Sequence, residues 1–247
     1  MQRLDVALVE RGLSESREKG QRAIMAGQVQ INGRTARKPS DRVREQDEIV
    51  LLAPEKYVSR GGLKLEHACR EFALDVRGRV AIDLGASTGG FTDCLLQQGA
   101  DRVYAVDVGQ AQLAWKLRQD PRVVVMEKTN ARHLVPARFP QPFAPVDLIV
   151  ADCSFISLRR ILPPAVALLR ASGRIVALIK PQFEAGKAEA DKGAGVITDP
   201  AVHQRVLEEL RHFVTTELRL AWRLVTPSPL LGPAGNKEFL VLIEKTF

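Results

Sequence analysis

Val80-Ala-Ile-Asp-Leu-Gly-Ala-Ser-Thr-Gly-Gly90 decides how this chain folds. Its first five residues are an apolar, strand-forming run. The next six are a glycine-rich turn that enters a helical pattern lasting to Leu96. A buried strand that passes to a helix through glycines opens a doubly wound α/β sheet. Outward from it the alternation recurs. Residues 103–107, 123–126, 146–152 and 174–180 read as further strands, with helical patterns over about 110–118, 157–171 and 200–217. Near-continuous apolar strands between helices predict a mostly parallel sheet covered on both faces. The tail differs. Residues 218–226 and 238–244 read as two strands joined by a Pro/Gly-rich loop, so the sheet is expected to end in an antiparallel strand.

Upstream, the pattern changes. Leu4, Ala7, Leu8 and Arg11 follow i, i+3, i+4, i+7 and stop at Gly12, a short amphipathic helix. Ser14 is placed to cap a second helix over about 15–26, with Gly27 at its C-terminal cap. Val29 and Ile31 alternate into Asn32-Gly33, the strongest two-residue hairpin signal, and residues 49–52 form another strand. The boundary is expected near residue 56, giving a small α+β domain over 1–56 and an α/β domain over 57–247.

Charge separates the two halves further. The chain has 36 Lys and Arg against 29 Asp and Glu, a formal +7, and a pI near 9.6. Within 11–44, Arg11, Arg17, Lys19, Arg22, Arg34, Arg37, Lys38, Arg42 and Arg44 face only Glu15, Glu18 and Asp41. That stretch carries nearly the whole excess, and a compact arginine patch attracts polyanions. With 45% hydrophobic and 26% charged residues, the composition excludes a disordered chain. No apolar run approaches a membrane span, and the first residues lack a signal-peptide core. Cys69, Cys94 and Cys153 lie far apart and the four histidines form no ligand pattern. No disulfide framework or metal is therefore expected, and a reducing cytoplasm is.

The chemistry concentrates at strand ends. The loop Gly85, Ala86, Ser87, Thr88, Gly89, Gly90, Phe91 lets a ligand approach backbone N–H groups at a helix start. It lacks G-x-G-x-x-G, and Asp83 opens it. This suits S-adenosylmethionine, whose sulfonium and ammonium are cationic and which has no pyrophosphate. Asp107, 24 residues after Asp83, stands where a carboxylate takes both ribose hydroxyls. Glu127 and Asn130, at the end of the third strand, compete for the adenine contact. Asp152 closes the fourth strand at the switch point of such sheets. Cys153 reads either as a nucleophile, as in cytosine C5 chemistry, or as inert packing, and it lacks the proline that usually precedes such a nucleophile. Lys180 ends an apolar strand, which is costly without a partner or a task.

Two resemblances sharpen this reading. Arg3-Leu-Asp-Val-Ala-Leu-Val-Glu-Arg-Gly-Leu13, Ser16-Arg17 and Ala26-Gly-Gln-Val-Gln-Ile-Asn-Gly33 resemble the S-four RNA-binding domain. That implies RNA contacts from Arg3, Arg11, Arg17, Lys19, Arg22, Arg34, Arg37 and Lys38. Lys64, Asp152, Lys180 and Glu238 fall in the order of the Lys-Asp-Lys-Glu tetrad of FtsJ-like RNA ribose 2′-O-methyltransferases. Ser59-Arg-Gly-Gly-Leu-Lys-Leu65, the 85–93 segment and Ile179-Lys-Pro-Gln-Phe-Glu184 look like the TlyA (hemolysin A) family over essentially the whole chain. Phe91 replaces a tryptophan and Asn130 an aspartate of the FtsJ pattern. The resemblance implies methylation of cytidine 2′-oxygens in ribosomal RNA, in the small or the large subunit. A base methyltransferase stays as the enzymatic rival, with a hemolysin or a non-catalytic RNA-binding protein as further alternatives.

Overall fold

In the computed structural model, which describes residues 1–52, 55–186, 189 and 195–246, the chain divides into two units, Met1–Lys56 and Tyr57–Phe247. The first contains β1 (Gln2–Arg3), α1 (Leu4–Glu10), α2 (Arg17–Met25), β2 (Val29–Ile31), β3 (Arg34–Thr35), β4 (Arg42–Val43) and β5 (Ile49–Leu51). β2 pairs with β3 and β5, and β1 with β4, all antiparallel. The apolar stripe of α1 is its core face: Leu4, Ala7 and Leu8 are fully buried with Ile24, Val29 and Val43. The β2–β3 turn carries positive φ at both Asn32 and Gly33, as the two-residue hairpin signal requires. The cap of α2 is Ser16, whose hydroxyl accepts from the Lys19 N–H, in place of the expected Ser14. The Ser14 hydroxyl instead donates to the Ser16 carbonyl, and the helix starts two residues later.

The second unit is built on β6 (Val80–Leu84), β7 (Arg102–Val106), β8 (Val123–Met126), β9 (Val146–Ala151), β10 (Leu169–Ile179), β11 (Ala221–Pro227) and β12 (Phe239–Glu244). Their order is β11-β12-β10-β9-β6-β7-β8. β6 to β10 run parallel, and β12 is antiparallel to both β10 and β11. Side chains alternate along each strand, so the sheet feeds two cores. Ile82, Leu84, Ile149 and Ala151 enter one; Ala81, Leu148 and Val150 enter the other. Apolar residues in succession are thus explained by burial on both faces.

Helices α3 (Gly61–Glu71), α4 (Gly90–Gln97), α5 (Trp115–Arg118), α6 (Leu158–Leu168), α7 (Pro181–Glu184) and α8 (Pro200–His212) accompany the sheet. Two expected helices are shorter than their patterns. Of 110–118 only the last turn is helical, because the backbone N–H groups of Ala111 and Gln112 bond the Glu127 carboxylate. α6 ends at Leu168, where β10 begins by pairing Leu169 with Val146. The order reverses between β6 and β9, which opens a crevice at their C-terminal ends.

Candidate active site

The turn after β6 is shaped by close approach. Gly85 has φ +84°, and a Cβ there would lie 2.8 Å from the Asp152 carbonyl oxygen. Gly89 has φ +98°, and a Cβ would meet Leu117 Cδ1 at 2.2 Å. Only glycine tolerates both the backbone and the contact. The loop is thereby pressed against the end of β9, and the crevice holds two adjoining cavities.

One cavity, about 540 Å³, is bordered by Gly85, Ser87, Asp107, Asn130 and Asp152. The Asp107 carboxylate is oriented by two backbone donors, Ser87 N–H and Gly109 N–H, each at 2.7 Å. Each carboxylate oxygen still has a lone pair for a ligand hydroxyl. Asn130 borders the same cavity while its side chain caps a short turn, accepting from the Arg132 N–H at 3.0 Å. Glu127 does not border it. Its carboxylate is held by Arg118 and by the backbone of the 111–112 turn. Of the two candidates for the adenine contact, only Asn130 borders the cavity.

The other cavity, about 300 Å³, is bordered by Ala86, Thr88, Gly90, Phe91 and by all four residues of the tetrad. Lys180 Nζ lies 2.6 Å from Asp152 Oδ1 and donates to Ser154 Oγ at 2.8 Å. Lys64 Nζ lies 2.5 Å from Glu238 Oε2. Lys64, Lys180 and Glu238 are each more than nine-tenths buried. Elements distant in sequence supply them: α3, the end of β9, the end of β10 and the residue before β12. Glu238 Oε1 is buried without a hydrogen-bond partner among the described residues. A buried acceptor of this kind is costly unless a ligand donates to it.

Asp83 departs from expectation. It borders neither cavity. It is fully buried beneath the loop, and Thr92 Oγ1 donates to its Oδ2 at 2.7 Å. Burial raises its carboxyl to about pH 7, against the pull of the Thr92 hydrogen bond, with the charges of Asp152 and Asp107 adding to the rise. Strand alternation explains the placement: Leu84 and Ile82 take one face and Asp83 the other, under α4.

The thiol of Cys153 donates to the Leu84 carbonyl at 3.3 Å. Burial, followed by the nearby Asp152 charge, pushes it up to about 12. A thiol so placed stays protonated near neutral pH and is a poor nucleophile.

Two features were not foreseen from sequence. Ser154 touches Lys180, and a serine after a cysteine carries no pattern that announces it. Phe155 has φ +61°, is 91% exposed, and stands 5.2 Å from Phe183, ring centre to ring centre. Glu184 ties these two segments together by accepting from Ser157 Oγ at 2.6 Å and Leu158 N–H at 2.7 Å.

With the geometry in view, comparison with known proteins is decisive. Residues 57–245 match the FtsJ-like methyltransferase family and residues 2–49 the S4 domain. The chain belongs to the FtsJ-like methyltransferase family. It is 51% identical over 241 residues to a candidate rRNA methyltransferase, YqxC, of Bacillus subtilis, covering 97% of this chain and 84% of that one. It is 46% identical over 247 residues to the 16S/23S rRNA (cytidine-2′-O)-methyltransferase TlyA of Mycobacterium tuberculosis, covering 98% and 89%. The solved structure of a candidate hemolysin from Streptococcus thermophilus superposes with TM-score 0.75 at 44% identity, over 99% of this chain and 88% of that chain.

The cofactor of an FtsJ-like methyltransferase is S-adenosylmethionine, and the residues present fit it. Asp107 offers a carboxylate to a ribose diol, and the Gly85–Gly90 loop leaves room beside backbone N–H groups. The tetrad cavity adds an unpartnered acidic oxygen suited to a cation. Among the described residues no group of three or more His, Cys, Asp or Glu could hold a metal.

The basic residues of the S4 unit divide by partner. Arg3 and Arg17 both pair with the buried Asp5. Arg11 donates to the carbonyls of Arg44, Glu45 and Asp47, which ties much of its guanidinium to that loop. Lys19 and Arg22 form i,i+4 pairs with Glu15 and Glu18 on the exposed side of α2. Arg34, Arg37 and Lys38 are exposed.

Proposed function

We propose that this protein methylates the ribose 2′-oxygen of cytidine in ribosomal RNA, with residues 57–247 performing the transfer and residues 1–56 gripping RNA. The observation that carries this reading is the two ion pairs, the partly buried Lys180–Asp152 and the buried Lys64–Glu238, around one cavity. A ribose hydroxyl is a poor nucleophile, so it needs a proton acceptor and a fixed approach. The TlyA relative is named for this activity on both 16S and 23S rRNA.

When bound, S-adenosylmethionine supplies an activated methyl group on a sulfonium. The chain's own residues do the rest. Asp107 holds the ribose end and Asn130 the base end. Lys180 Nζ, in its neutral amine form, accepts or labilises the proton of the acceptor hydroxyl, while Asp152 and Ser154 fix where that nitrogen points. Lys64, held by Glu238, steers the acceptor oxygen. Phe91 closes the apolar side and excludes water. Phe155 presents an exposed ring at the mouth, a stacking platform for a base.

The cytosine C5 form of the base-methylation rival is disfavoured by Cys153, whose half-buried thiol is pushed up to about 12 by desolvation; amino-group methylation is told apart by where the methyl group lands. The hemolysin reading draws on relatives' names alone, and among the described residues no helix is long and apolar enough to cross a membrane. The test is a map of ribose methylation in ribosomal RNA from cells with and without the gene. The reading expects a cytidine 2′-O-methyl mark to vanish with the gene. Unchanged ribose methylation would overturn it.

A further inference from the structure

A carboxylate in the S4 unit stands outside the transfer chemistry. Asp5 lies in the first turn of α1 and is fully buried. Arg3 grips it at both oxygens, Nε to Oδ1 at 2.9 Å and Nη2 to Oδ2 at 3.0 Å. Arg17 Nε donates to Oδ2 at 2.9 Å and Gln21 Nε2 at 2.6 Å. The Arg3 hydrogen bonds, with smaller contributions from Gln21 and Arg17, hold the carboxyl well below the usual carboxylate range against its burial.

The arginine ends face outward. Their side chains are 38% and 56% exposed, and Asp5 engages only part of each guanidinium, leaving most N–H groups for a ligand. A third segment joins at the same residue. The Asp5 N–H donates to the Pro39 carbonyl, and the neighbouring Leu4 N–H to the Asp41 carbonyl. The Asp41 carboxylate in turn accepts from the N–H groups of Arg37 and Lys38. Arg3 and Arg17, far apart in sequence, are thus gathered by one buried acid, and the Arg37–Lys38 turn is held beside it through backbone bonds. A carboxylate is a poor choice for that interior on stability grounds, since apolar replacements of buried ion pairs are often no less stable.

We propose that Asp5 is a positioning residue for RNA: its carboxylate fixes the Arg3 and Arg17 guanidiniums at a set spacing so that together they grip phosphates of the RNA backbone. This rests on the reading of residues 1–56 as the RNA-gripping unit. The geometry suits the ligand, because planar guanidiniums bind phosphate through paired N–H groups and gain most when pre-oriented.

The test turns on sign. Asp5→Asn keeps the shape and removes one negative charge, so electrostatics alone predicts equal or tighter RNA binding. Positioning predicts the reverse. With the full chain and purified ribosomal RNA, Asp5→Asn should weaken binding about tenfold, the scale of a charge-assisted contact. It should raise KM for RNA and leave kcat at saturating RNA and cofactor affinity unchanged. In an Arg3→Ala/Arg17→Ala background the same change should cost nothing further.

Equal or tighter binding by a folded Asp5→Asn protein would overturn the inference, as would a further tenfold loss in the double-alanine background. If Asp5→Asn unfolds the unit, Arg3→Lys/Arg17→Lys with Asp5 intact decides. Charge is kept and the planar fork lost, so binding should again weaken, and unchanged binding would overturn the inference. Should Arg3→Ala/Arg17→Ala itself leave RNA affinity intact, the underlying RNA assignment of this face falls instead.

Discussion

Lys180 and Asp152 meet at 2.6 Å across the ends of two neighbouring parallel strands, β10 and β9. The pairing register brings them together: Ala177 stands opposite Ala151, and each chain then leaves the sheet toward the same crevice. Loss of a general base typically costs about 10²–10⁴-fold in rate. Lys180→Ala should therefore nearly abolish methyl transfer while the protein stays folded and binds cofactor. Asp152→Ala should be comparably slow. Single-turnover assays with labelled cofactor check both, and a Lys180→Ala enzyme within threefold of the wild-type rate (about 0.6 kcal/mol) would remove Lys180 from the reaction.

Ser154 should matter less, and differently. It accepts one hydrogen bond from Lys180, so Ser154→Ala leaves the Asp152 pair in place but frees the amine to wander. The expected outcome is a kcat lower by about tenfold, the scale of one hydrogen bond to a charged group, with KM for RNA unchanged. Steady-state kinetics separates this from a binding defect, in which KM would rise and kcat hold.

Asp107 is the sharpest test of the cofactor pocket. Its carboxylate is pre-oriented by Ser87 and Gly109. Asp107→Ala removes a charge-assisted clamp of about 1.5–3 kcal/mol, at least tenfold in affinity. Calorimetry with S-adenosylmethionine in the absence of RNA reads it directly. Equal affinity in a folded variant would rule out the ribose contact.

Asp83 makes stability depend on pH. Its folded value of about 7 stands above the unfolded carboxylate value near 4. The folded state therefore keeps a proton that the unfolded chain releases between those values. The stabilising contribution is complete below about pH 4, declines as pH rises toward 7, and is flat above. Asp83→Asn mimics the protonated form and should erase the decline. Relative to wild type it should gain on the order of a few kcal/mol at pH 8 compared with pH 4. Urea unfolding at both pH values is the measurement, and a parallel pH dependence in the two proteins would contradict the assignment.

Much of the fold was legible because its signals are local. The Val80–Leu84 strand, the Asn32-Gly33 hairpin and the stripe of Leu4, Ala7 and Leu8 each declare themselves within a few residues. The tetrad residues were legible as a resemblance in order, and the structure brings all four to one cavity. What stayed hidden depends on partners distant in sequence. Nothing near Asp83 tells that α4 covers it, or near Arg11 that three carbonyls of the 44–47 loop engage its guanidinium. That Asn130 and not Glu127 borders the cavity depends on the turn at 111–112, whose N–H groups bond the Glu127 carboxylate.

The central claim is that the methyl group goes to a ribose oxygen through the Lys180–Asp152 centre and that Cys153 takes no covalent part. It is tested most directly by methylating ribosomal RNA with tritiated S-adenosylmethionine, using the wild-type and Cys153→Ala enzymes, and digesting the product to nucleosides. The account predicts label on the sugar of cytidine with both enzymes, at rates within a few-fold of each other, since no covalent step is lost. Label on the base, or a folded Cys153→Ala enzyme that transfers nothing, would contradict it.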